Sequence, residues 1–446
     1  VVDDQVYTTK GVDGAWKDAA SWTASGRRDY DQKGFPVKGS VADFASGEYA
    51  LDLSDTGWTY VRGVYLTNAN TKVTLRNTRN DVGLSIQAVG TPSLGRFFTL
   101  GANNALTLDG ARVNYQADGF TLPTGFKLAL ENGAYFNQNA NGWSGAGFKT
   151  GNGNEVTVAS GSTLYLYANG VTIGGTDTRF VIDNATVNHW NDNGSGGQFC
   201  VNQSGENAAF VFRGRAPRLY ACRSVYSDGG NGATFDFEIP AGGYAAAPIQ
   251  RHPSWGGSGY AFGIEGSKNL VLRVPATCGA VQAGKPIDQP LVYWPAGYST
   301  AHLTLDRANL PNPALDYFYD TVNPQTGAVN GIGVHLSGTV AGAGSDVSGF
   351  KVTALGETAA TVTANVTLGT GYKHFESFFA YQDGKLADVN YAGTIETIGA
   401  NAFLGCSALK RFNGSPDLVF GQLTTVGKGM FGKCTSLTGK AIIGGK

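Results

Sequence analysis

Between Val73 and Leu305 one short pattern, two apolar residues flanking a single position, recurs nine times. The copies are Val73/Leu75, Leu106/Leu108, Leu128/Leu130, Val156/Val158, Phe180/Ile182, Phe210/Phe212, Phe235/Phe237, Leu270/Leu272 and Leu303/Leu305. They lie 33, 22, 28, 24, 30, 25, 35 and 33 residues apart. Successive side chains of a strand point to opposite faces, so each copy sets its apolar pair on one side. Several copies continue alike, through Asp109-Gly110-Ala111, Asn132-Gly133-Ala134, Ser160-Gly161-Ser162 or Asp183-Asn184-Ala185, to a second apolar position at Val113, Phe136, Leu164 or Val187. Further apolar pairs, Phe98/Leu100, Val171/Ile173 and Phe199/Val201, precede some of the cores. About three short strands per coil of 22–35 residues, joined by Gly- and Asn-rich turns, predict an all-β chain in which residues 56–310 wind as a right-handed parallel β-helix, a solenoid. A sandwich would alternate as well, but its strands would not keep a coil-sized signature.

The flanking segments read differently. Residues 1–55 hold Trp16-Lys17-Asp18-Ala19-Ala20-Ser21-Trp22 and then Pro36-Val37-Lys38-Gly39-Ser40-Val41-Ala42-Asp43-Phe44, which suit a cap over an exposed solenoid end. This opening resembles that of bacterial autotransporter-associated β-strand repeat proteins, with Lys38-Gly39-Ser40 where the family often has Gly-Asp; the resemblance implies a secreted β-solenoid. Pro311-Asn312-Pro313 breaks the array, and residues 311–392 predict a small sandwich with antiparallel strands at Val352–Leu355, Ala360–Val366 and Phe378–Tyr381. Val347 to Tyr381 resembles fibronectin type III-like modules of bacterial surface proteins. Over 393–446 the segment Ile395 to Leu409 aligns with Leu423 to Leu437, every apolar position shifted by 28 residues. That pattern resembles the BspA-like leucine-rich repeat of bacterial cell-surface proteins. The alignment predicts buried ladders at Phe403/Phe431 and Cys406/Cys434. Two copies are fewer than such arrays need, so the array is expected to continue beyond Lys446, and the Val1-Val2 start suggests an excised or mature segment.

Composition narrows the function classes. Only 15% of the residues are charged and the net charge is −1, with no basic block, so a nucleic-acid footprint is absent. No apolar run approaches the length of a membrane span. The five cysteines form no CxxC or Cys/His cluster, and neither a metal nor a cofactor is expected. Cys200 and Cys222 lie 22 residues apart, near one coil, and a disulfide between them or two buried thiols are both open.

The β-helix class includes polysaccharide lyases and hydrolases, so carboxylates must be weighed. Asp109, Asp183, Asp192, Asp228, Asp236 and Glu238 offer no Asp-Asp pair; Asp109 and Asp183 suit turns, and Asp236 and Glu238 alternate with Phe235 and Phe237 as an outward pair. Arg213, Arg215, Arg218 and Arg223 cluster after one strand, as an acidic sugar or an ion-pair network would require. Inserts between strands carry Trp143, Trp190, Trp255 and Tyr260, and His189 and His252 stand next to or near tryptophans, a pairing suited to stacking on sugar rings. These six residues are the candidate ligand contacts, and no catalytic residue is expected. The expected role is that of a non-enzymatic extracellular or bacterial surface protein. It acts as an adhesin for glycans or host and cell-surface proteins, or as a structural component assembling with itself; the alternative is a polysaccharide lyase, a glycoside hydrolase or a carbohydrate-binding protein on the same scaffold.

Overall fold

A computed structural model describes residues 5–26, 33–54, 57–79, 82–87, 97–115, 119–139, 147–167, 170–190, 198–201, 206–228, 233–254, 260–340, 347–352, 360–376, 379–382 and 384–443. The described chain is almost entirely β; its helical elements are one short 3-10 turn, Ala19–Ser21, and one α-helical turn, Gly279–Gln282, and Phe379 adds a single 3-10 residue. It divides into two compact units, one of residues 1–236, 244–272 and 292–304, the other of 237–243, 273–291 and 305–446.

All nine repeated cores lie in strands of a single sheet. That sheet has eleven strands, and its order follows the chain from Gly14–Ala15 and Gly47–Asp52 through Thr71–Arg76 to Leu303–Leu305. Pairing is parallel and in register, so that Val73, Leu106, Leu128, Val156, Phe180 and Phe210 form one buried column. Within it the rings of Phe180 and Phe210 stack at 4.8 Å and 9°. The second apolar positions build a second parallel sheet, ordered Thr59–Val61, Leu84–Ile86, Arg112–Tyr115, Tyr135–Asn139, Thr163–Tyr167, Thr186–Trp190, Arg218–Ala221 and Ile249–Arg251. A third, five-stranded sheet takes Phe120–Thr121, Phe148–Lys149, Gly170–Ile173, Gln198–Val201 and Val225–Ser227. From Phe120 to Ser227 each repeat thus gives one strand to every sheet.

Two corner chemistries set this rotation. The step from the first sheet to the second uses residues in the left-handed region, such as Asn132 (φ 54°) and Gly133 (φ 76°), where Asn and Gly are tolerated at least cost. The entry to the first sheet is held by buried amides. Asn104 donates to the carbonyls of Leu66 (2.9 Å) and Asn68 (2.8 Å) and accepts from the Thr71 N–H (3.0 Å). Asn154 repeats the device, donating to the carbonyls of Pro123 and Phe126 and accepting from the Gly151 N–H. Backbone groups that a turn would otherwise bury unpaired are satisfied from the neighbouring repeat.

At the chain start Val6–Thr9 pairs in parallel with Val41–Asp43 and antiparallel with Trp22–Ser25, which ends that sheet. Trp16, Trp22 and Phe44 pack together behind it, the two indoles at 5.1 Å and edge-on, with Trp22 Nε1 donating to the Trp16 carbonyl.

The second unit contains an antiparallel hairpin, Tyr317–Val322 with Val329–Leu336. Val347–Val352 pairs antiparallel with Ala360–Leu368, so the first strand ends at Val352 where one was expected to begin, residues 353–355 lying outside the described residues. Ala360–Leu368 then pairs in parallel with Asp388–Tyr391, and that strand with Arg411–Phe412. One buried cluster runs from Leu315 and Val362 through Phe403 to Leu423, so the position expected to part sandwich from repeats, 392/393, falls inside a single core. Of Phe378–Tyr381, expected as a strand, Phe378 lies outside the described residues and 379–381 form a 3-10 residue and a turn instead. His374–Phe375, Thr397–Ile398 and Thr425–Val426 make a parallel sheet, so a third, degenerate copy of the repeat precedes the two visible in the sequence. Phe379, Phe403 and Phe431 stack in succession at 5.1 and 5.5 Å. The thiols of Cys406 and Cys434 donate to the carbonyls of Phe379 and Phe403, each one rung back.

Candidate functional site

The second sheet of the first unit presents an outward face with an unusual composition. Strand alternation buries Leu84, Val113, Phe136, Leu164, Val187, Leu219 and Ile249 and turns their neighbours out. Register aligns those neighbours into one column across the strands: Tyr60, Ser85, Asn114, Asn137, Tyr165, Asn188, Tyr220, Gln250 and Tyr293. Tyrosines occupy alternate rungs at Tyr165, Tyr220 and Tyr293, with an amide between each pair. Tyr60 and Tyr293 are 40% and 44% exposed, and the column between them is half-buried except for the covered Ser85. A parallel column sets Tyr167 against Trp190, and the Arg112 guanidinium lies 4.9 Å over the Tyr135 ring. The eight strands that carry the column from Tyr60 to Gln250 contain Arg112, Arg218 and Arg251 and no Asp or Glu, whereas the ninth, Ile287–Tyr293, which ends in Tyr293, contains Asp288.

At one end the column opens into a cleft of about 420 Å³ lined by Tyr220, Gln250, Arg251, His252, Pro253, Tyr293 and Pro295. His252 is its best-positioned ring, 4.5 Å from Trp190 and 6.0 Å from Tyr220. Burial lowers the His252 pKa below the usual imidazole value, so the ring is neutral at pH 7. Its Nδ1 accepts the Ser254 N–H at 3.2 Å, which leaves the hydrogen on Nε2 as a donor. Burial also lowers Arg251 from its ordinary value, though an arginine remains charged at any physiological pH.

The candidate contacts therefore separate. Trp190 and His252 come together at the cleft. Tyr260 is half-buried nearby, its hydroxyl accepting from Arg223 at 2.7 Å beneath the same guanidinium, while its carbonyl accepts from Trp294 Nε1. His189 does not reach the face: it is fully buried, because it follows Asn188 and precedes Trp190 on a strand of period two, and it packs on Phe199. Trp143 and Trp255 lie outside the described residues, as does Asp192. Asp236 is 8% exposed and does not face solvent, because two buried phenylalanines flank it on a strand covered on both sides.

The strand register does not set Cys200 against Cys222. Cys200 lies opposite Thr172 and Tyr226 in the third sheet, whereas Cys222 follows a strand of the second and its thiol donates to the His189 carbonyl at 3.0 Å. The 22-residue spacing carries the chain from one sheet to another, not once around to the same corner. Among the described residues no three His, Cys, Asp or Glu side chains converge to hold a metal ion, and no helix is long and apolar enough to cross a membrane.

A separate cluster of titratable groups lies in the second unit. His335, 5% exposed, makes a 2.7 Å hydrogen bond with Asp288, lies 3.6 Å from Glu376 and stacks on Tyr317 at 4.8 Å. Asp316 accepts the N–H groups of Asn312 and Ser337, yet burial pushes it up to about 6. Glu376 is pushed up to about 7 by burial, against the pull of His335 and with the repulsion of Asp288 and Asp316. Burial alone would lower His335, but the Asp288 hydrogen bond and the flanking carboxylates raise it. Sequence reading missed this cluster because its four members come from distant segments and each stands alone in its own.

No protein-family model matches the chain, and neither a curated protein nor a solved structure matches it.

Proposed function

We propose that the protein is a non-enzymatic, extracellular glycan-binding protein of a bacterial surface, in which a right-handed parallel β-helix displays saccharide contacts on the outer face of its second sheet. In this reading the solenoid is a rigid support and the second unit, with its leucine-rich-like rungs, is an accessory module of the same surface class. The resemblances of the opening segment and of the terminal repeats to bacterial surface families support the location.

One observation carries the binding reading: aromatic and amide side chains align in register over the whole outer face. Aromatic rings stack on the C–H faces of sugars, and amides and guanidinium groups donate to hydroxyl oxygens, which together make a saccharide platform. Binding is favoured over hydrolysis because the described strands of that face hold a single carboxylate, Asp288, engaged with His335, whereas glycoside hydrolysis needs a pair about 5–10 Å apart.

The test is retention of the full chain on an immobilised glycan panel, compared with a Tyr165→Ala/Tyr220→Ala variant of unchanged circular dichroism. Retention by the parent and its loss in the variant is the expected result. Equal retention of both proteins, or of neither, would refute the reading.

A further inference from the structure

From the register of the outer column we infer that the ligand is a linear, extended, acidic polysaccharide that lies across the strands, one sugar per strand, with a two-sugar repeat. This rests on the glycan-binding reading of the face and adds chain geometry and charge to it.

Geometry comes first. Neighbouring strands lie about 4.8 Å apart, so tyrosines on alternate rungs recur at about 9.6 Å. Tyr165, Tyr220 and Tyr293 keep that interval without a break, because Asn188 and Gln250 stand between them. In an extended β-1,4-linked pyranose chain one sugar advances by about the distance between two strands, and each sugar is turned about half way round from the last. The same ring face therefore returns at every second sugar, at an interval matching the tyrosines. Sugars between the platforms fall opposite Asn188 and Gln250, whose amides can both donate and accept. A helical or branched glycan would not keep step with a column fixed by strand pairing.

Charge selects within that class. Arg112, Arg218 and Arg251 stand on strands with no acidic residue, and the one carboxylate on the column's described strands, Asp288, is engaged by His335, so cations outnumber anions on the face although the whole chain carries a net charge of −1. A guanidinium matches a carboxylate in planar, two-point geometry. Arg251 sits in the cleft where the column ends, placed to hold the carboxylate of a uronic acid.

The experiment is calorimetric titration of the full chain with β-1,4-linked mannuronate oligomers, dimer to hexamer, and with β-1,4-linked glucose oligomers of the same lengths. Affinity for the acidic series is expected to rise in steps of two sugars, at the trimer and again at the pentamer, where a further tyrosine comes within reach, with little gain at the tetramer and hexamer. It should also exceed the neutral series and weaken as salt is raised. Tyr220→Ala is expected to lower hexamer affinity about tenfold, the scale of one aromatic stacking contact, while Tyr220→Phe keeps it. Equal affinity for both series, or a gain that is smooth with length, would overturn this inference and leave glycan binding standing. Failure of every oligomer, with no retention on the panel either, would overturn both.

Discussion

Replacing Glu376 by Gln should remove a pH dependence built into the second unit. In the folded chain Glu376 binds its proton more tightly than a free carboxylate, with a pKa of about 7 against an ordinary 4.5, because burial penalises the anion and Asp288 and Asp316 lie near it. Below pH 4.5 the group is protonated whether the chain is folded or not, and it contributes no difference. As pH rises from there towards 7, the unfolded chain releases the proton and the folded chain does not, so stability falls. At about 1.4 kcal/mol per pKa unit the full loss is about 3 kcal/mol, and it is complete above pH 7. Asp316 acts in the same direction between its ordinary 3.8 and about 6, and raised His335 loses its contribution as pH climbs through its folded value. Gln keeps the volume and stays neutral. Urea unfolding of both chains across about pH 5 to 8 should show the variant gaining on the parent as pH rises, by up to about 3 kcal/mol. A difference between the two that stays flat over that range would refute the argument.

Other perturbations test the packing and the corners. Phe210→Ala removes a fully buried ring from the aromatic column and should cost about 4 kcal/mol in urea unfolding. Asn104→Ala leaves the Leu66 and Asn68 carbonyls and the Thr71 N–H without their partner, an expected loss of about 3 kcal/mol by the same measurement. His252 should titrate below 6.5 by NMR, and its contribution to stability, present above 6.5, should be lost as pH falls through the lower folded value. Under native conditions a thiol reagent should modify the half-buried Cys434 before Cys222, Cys278 and Cys406, which are buried; mass spectrometry of peptides at intervals gives the order.

The nine cores were legible because each is a local, period-two pattern, and all nine became strands of one sheet in chain order. Their partners on the second sheet were legible for the same reason. The tyrosine column was not, since Tyr165, Tyr220 and Tyr293 lie in unequally spaced repeats, and only the pairing register brings them into line. Buried Asn104 and Asn154 look like ordinary turn residues until the carbonyls they satisfy, one repeat away, are known. His189 went wrong for a simple cause: proximity to Trp190 in sequence places it on the opposite face of the strand. The early copy of the terminal repeat was hidden because His374 and Phe375 stand where the later copies carry Thr397-Ile398 and Thr425-Val426.

The left-handed corners also bear on how long the protein lasts chemically. An Asn followed by Gly ages by attack of the glycine nitrogen on the side-chain amide, which closes a succinimide ring and ends in aspartate or isoaspartate. At Asn132-Gly133 and Asn152-Gly153 that nitrogen is already engaged, its hydrogen donated to the carbonyls of Ser160 (3.0 Å) and Thr176 (2.8 Å) one repeat further on. Attack would require the nitrogen to leave a bond that holds two repeats together. A sequence rich in the linkage most prone to deamidation is therefore shielded at these corners by the stacking of its own repeats.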